Sequence, residues 1–82
     1  MSAIDFDIFR ENLRTLRKTT DKTSKELSED LGMRQMKRVS DIEEGRGRPT
    51  LEEINATCTY FEVSIDDMIR RKAVHKIVFI DI

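Results

Sequence analysis

The stretch TSKELSEDLGMRQMKRVSDIEEGRGRPTL, residues 23–51, decides how this chain folds. Thr23 with Glu26 three positions on reads as a capping box, each side chain answering the other residue's free backbone N–H. The helix it opens, Ser24 to Leu31, has an apolar stripe of only Leu27 and Leu31, with the small Ser28 on a neighbouring face. Gly32 ends it, since glycine adopts the left-handed conformation of a helix cap without steric cost. A turn at Gly32-Met33-Arg34 leads into a third helix over Gln35–Glu44, where Met36, Val39 and Ile42 recur every three residues. Gly45-Arg46-Gly47-Arg48-Pro49 cannot continue a helix, and Thr50 with Glu53 forms a second capping box.

Working outward, Phe6, Phe9, Leu13 and Leu16 fall on one stripe of a first helix over roughly Asp7–Thr19, with Asp5 or Asp7 able to cap it. Thr19-Thr20-Asp21 stops it, because such side chains compete for backbone hydrogen bonds. Leu51, Ile54, Cys58 and Phe61 repeat at 3, 4 and 3 through a fourth helix, and Ser64 with Asp67 opens a short fifth bearing Ile65, Met68 and Ile69. Beyond Arg70-Arg71-Lys72, residues 74–82 are β-branched and apolar on both faces, which predicts a strand.

Eighty-two residues hold one domain. With 38% hydrophobic and 38% charged residues, the chain is too apolar for disorder and too polar for a membrane span. A net charge of −1 argues against wholesale electrostatic capture by nucleic acid or anionic lipid, but the charge is segregated: +3 over residues 10–48 and −5 over residues 49–69. One cysteine excludes an internal disulfide, and no signal peptide is evident, so a cytoplasmic protein is expected. No nucleophile–base pair, phosphate loop or metal cluster can be assembled, so neither an enzyme nor a cofactor or metal is expected. Cys58 reads as a buried thiol, and His75 as a surface residue without ligand partners.

Two short helices joined by a glycine turn and followed by a basic loop form the pattern of a DNA-binding helix-turn-helix. Leu13-Arg14-Thr15-Leu16-Arg17-Lys18, Thr23 through Leu27, Leu31-Gly32-Met33, Val39 through Gly45 and Pro49-Thr50-Leu51 through Ile69 occur in order. Together they resemble the Cro and phage-repressor helix-turn-helix family, also called the xenobiotic-response-element family, over about 60 of the 82 residues. The stretch between Gly32 and Val39 is one residue longer than the family usual. The resemblance implies an all-α, five-helix lambda-repressor-like domain, here over residues 1–72, and the tail at 73–82 adds a predicted C-terminal β-strand. It implies a transcriptional regulator, a repressor or autoregulator, that binds a palindromic operator in double-stranded DNA as a homodimer, without membrane or small-molecule ligand, nucleoid-associated when on its operator.

On the third helix Lys37, Ser40, Asp41 and Glu44 point away from the inward face, Arg38 lies on a flank, and Arg34 and Gln35 stand at the start. Arg34 and Gln35 can reach toward a groove as the family's recognition helix does, and on the functional reading Gln35 could pair with adenine, Lys37 or Arg38 with guanine, and Asp41 with a cytosine amino group. The alternative is an ordinary solvated face of mixed charge. Arg46 and Arg48 are assigned to phosphate contacts, although their string also looks like an AT-hook core that reads the minor groove. Thr23, Ser24 and Lys25 head the second helix, where a phosphate oxygen or nothing at all would sit. By the resemblance, Arg17 and Glu43 pair as a largely buried structural ion pair. Val74, Ile77, Val78, Phe79, Ile80 and Ile82 are the expected dimerisation residues of the predicted strand. The rival class is an interaction module, antitoxin-like, with weak DNA affinity.

Overall fold

A computed structural model describes residues 6–70. Five helices follow one another: α1 (Phe6–Thr19), α2 (Ser24–Asp30), α3 (Arg38–Glu43), α4 (Leu51–Phe61) and α5 (Ile65–Arg70). The long α1 packs on both α3 and α5, α2 packs on α3, and α4 on α5. Phe9, Leu13 and Leu16 of α1 meet Leu27, Val39, Ile42, Ile54, Cys58, Val63 and Met68 in one core, so every helix contributes at least one side chain. The period-3.6 stripes read from the sequence supply most of these residues. Cys58 is buried among them, and loss of water pushes its thiol pKa up, which suppresses the reactive thiolate.

Both capping boxes are present, at Thr23/Glu26 and Thr50/Glu53. The helix ends share a second device. At the end of α2, Gly32 takes φ 72° while its N–H reaches the Glu29 carbonyl and that of Met33 reaches the Ser28 carbonyl, both at 3.0 Å. This paired arrangement satisfies two carbonyls that the helix leaves without partners. The same pattern closes α1 at Asp21 (φ 60°), α3 at Gly45 (φ 81°) and α4 at Glu62 (φ 57°). Two of the four left-handed positions therefore carry side chains that disfavour them.

The structure corrects two expectations. The fold class is all-α: no strand occurs among the described residues, and the five helices close a common core without one. A β-branched, apolar composition is insufficient evidence for a strand, because strand formation depends on a partner ladder that composition does not supply. Residues 73–82, including the expected dimerisation residues Val74, Ile77, Val78, Phe79, Ile80 and Ile82, lie outside the described residues, as do Asp5 and His75. The third helix starts at Arg38 rather than Gln35, and residues 35–38 form a turn with Arg38 N–H on the Gln35 carbonyl at 3.1 Å.

Candidate nucleic-acid interface

Besides the apolar packing of Leu27 with Val39 and Ile42, one buried hydroxyl joins the two helices of the α2–turn–α3 unit. Lys37, the residue before α3, offers no side-chain cap, so the early N–H groups of α3 need acceptors from elsewhere. Ser28 of α2, fully buried, supplies one: its Oγ accepts from Val39 N–H at 3.0 Å. The hydroxyl thus ties the start of α3 to the middle of α2. With Val39, Ile42 and Glu43 turned inward, Lys37 and Glu44 are exposed and Ser40 and Asp41 half-buried on the other side.

Behind α3, Glu43 is held from α1. Its side chain is only 3% exposed, and Arg17 grips it with two bonds, Nε to Oε2 at 2.7 Å and Nη2 to Oε1 at 3.0 Å. Arg17 Nη1 also donates to the Lys22 carbonyl at 2.9 Å. Hydrogen bonding to Glu43 raises the Arg17 pKa despite its partial burial. A second arginine, Arg14, approaches the same carboxylate at 3.3 Å. The sequence reading did not assign it, although Arg14 and Arg17 lie one turn apart on α1 and face the same side.

Two of the arginines assigned to DNA carry internal partners. Arg38 donates from Nε and Nη2 to the two oxygens of Glu53, at 2.8 and 2.7 Å, and from Nη2 to the Arg48 carbonyl at 2.7 Å. Glu53 is the capping residue of α4, so the start of α3, the loop and the start of α4 are joined at one guanidinium. The bonds from Arg38 hold the Glu53 carboxyl below the usual range. A Cβ on Gly47 would come within 2.7 Å of Arg38 Nη1, so a side chain at residue 47 would push the guanidinium from its place. Arg46 donates to Asp41 Oδ1 at 3.1 and 2.8 Å and pairs with Glu44 as well. Arg48 sits over the Phe6 ring, 5.5 Å from its centroid, and its own side chain stays exposed. Lys25, Arg34 and Lys37 are exposed cations without a carboxylate partner among the described residues, and Gln35 lies exposed between the last two. Thr23 is occupied as a cap, and Ser24 is half-buried beside it.

Residues 8–71 match the family model described as a helix-turn-helix domain, more than three quarters of the chain. The chain belongs to the helix-turn-helix domain family. Its match runs from α1 through α5, and the order of anchors resembles that of the Cro and repressor type, so the chain is a DNA-binding helix-turn-helix protein. Among solved structures, it is similar to the crystal structure of the hypothetical transcription factor NHTF from Neisseria. The TM-score is 0.74 at 16% identity, with 95% of this chain and 94% of that one covered, a likeness that shows the fold. No curated protein matches. No helix among the described residues is long and apolar enough to cross a membrane.

Proposed function

We propose that this protein is a sequence-specific repressor or autoregulator that binds a palindromic operator as a homodimer, with α3 facing the major groove and two copies reading half-sites about one helical turn apart. The observation that supports it is that Lys37, Gln35 and Arg34 of α3's leading turn, and Lys25 of α2, are exposed, the three cations without a carboxylate partner among the described residues. In this reading Gln35, Lys37, Ser40 and Asp41 meet base edges, while Lys25, Arg34 and Arg48 hold phosphates. Arg38, committed to Glu53 and the Arg48 carbonyl, positions the loop instead of reading guanine. Bound to its operator, the protein would be nucleoid-associated.

Selection of bound sequences from a random DNA pool tests this reading, with a two-fold symmetric consensus and a dimer by sedimentation as the expected results. Lys37→Ala should then cost about 1–3 kcal/mol on the selected site and little on random duplex, whereas Arg48→Ala should weaken both alike. A second reading, an antitoxin-like partner-binding module with weak DNA affinity, is favoured by the internal pairing of Arg38 and Arg46, which reduces the positive field of the face. Binding to random duplex that stays flat with salt would support it, since each phosphate contact contributes a log–log salt slope of about −0.9.

A further inference from the structure

Arg46 stands in the loop that follows α3, next to the face assigned to DNA, yet its guanidinium is turned back onto two carboxylates, Asp41 of α3 and Glu44 at its C-terminal cap. Asp41 Oδ1 takes bonds from Nε and Nη2 at 3.1 and 2.8 Å, and Glu44 pairs with Nη1. Glu44 is held in place by Ser40 Oγ at 3.3 Å, and Arg46 holds its carboxyl below the usual range. The backbone supports the same closure, because Arg46 N–H donates to the Asp41 carbonyl at 2.8 Å where Gly45 turns the chain at φ 81°. Side chain and backbone of Arg46 are thus bound to one residue of α3. By contrast, the exposed Lys25, Arg34 and Lys37 have no carboxylate partner among the described residues.

A guanidinium whose Nε, Nη1 and Nη2 each serve a carboxylate has its charge offset and its bidentate edge taken, so its grip on a phosphate is weakened. We propose that Asp41 and Glu44 are specificity residues that act as an internal latch, withholding Arg46 from the phosphate backbone of non-operator DNA. Random sequence offers the carboxylates nothing in return for the arginine. A site presenting a base amino group to Asp41 does, and there Arg46 passes to the backbone. Non-operator sites outnumber operators by many orders of magnitude in a genome, so reducing the sequence-independent grip raises the share of protein on its operator.

The inference rests on the DNA-binding reading, and a double-mutant cycle on random-sequence duplex separates the two. In the native background Arg46→Ala should change affinity less than about twofold. With Asp41→Asn and Glu44→Gln together, affinity should rise, and Arg46→Ala should now cost about eightfold at 0.1 M salt, the effect of one phosphate contact, with the log–log slope shallower by about 0.9. None of the three side chains belongs to the apolar core, so the variants keep their packing. If Arg46→Ala costs the same factor in both backgrounds, the carboxylates act only by repelling phosphate and the latch is overturned while DNA binding stands. Absence of salt-dependent binding in every variant overturns both.

Discussion

Single side chains settle more here than the size of the domain suggests. Glu43 is almost entirely buried between Arg17 and Arg14, and its loss would leave the guanidinium of Arg17, 14% exposed, facing the base of α3 without a countercharge. Removing one partner of such a pair typically costs about 3–5 kcal/mol, so Glu43→Ala should unfold the domain at low denaturant. A loss under about 1 kcal/mol in urea melts would show that solvent already screens the pair. Glu62 presents the opposite case. It occupies a left-handed position at φ 57° that closes α4, where a Cβ is a penalty and glycine is not. Glu62→Gly should therefore stabilise by about 1 kcal/mol, and a lower urea midpoint would contradict the strain. Asn12 shows what the helical stripe could not: lying among Phe9, Leu13 and Leu16, it is buried at 3% exposure and donates Nδ2 to the Met68 carbonyl at 2.9 Å. A polar residue on an apolar stripe was the available sign, and its acceptor on α5 was not in the sequence.

At the level of elements, the α2–α3 unit depends on Ser28. The hydroxyl answers a buried N–H of α3, so Ser28→Ala removes a bond and leaves Val39 N–H without its acceptor, a penalty of about 1–3 kcal/mol. Because the fault lies at the joint between the two helices, the expected signature is a larger loss of DNA affinity than of melting temperature. Hydrogen exchange at Val39 measures the opening directly, and unchanged protection would remove this role. The boundaries of α2 and α4 were legible because capping boxes are local and written in four residues. The start of α3 was not, because its cap comes from another helix, and three-residue periodicity extended the helix back to Gln35 where the backbone forms a turn.

For the molecule as a whole, the carboxylates join elements that apolar packing alone leaves adjustable. Glu53, Glu44 and Asp30 all have their pKa lowered, mainly by hydrogen bonds from Arg38, Arg46 and Lys22 respectively. A folded-state pKa below the unfolded value contributes stability that is present at neutral pH and is lost as pH falls through the carboxylate range, below about 4.3. The melting temperature should consequently drop between pH 6 and pH 3, and the drop should be smaller in Glu53→Gln. An equal drop would mean that the bonds to Glu53 do not couple to folding. By itself the sequence determined the helical core, two capping boxes, the glycine turn and the family, since each is a pattern of near neighbours on one helix or one turn. Only the tertiary structure decided which arginines have partners. Arg38 and Arg46 looked like the other cations of a basic stretch, but folding brings Glu53, 15 positions away, against one and folds the loop back so that Asp41 meets the other. Long flexible side chains take the partners that packing delivers, and spacing along the chain does not record which those are.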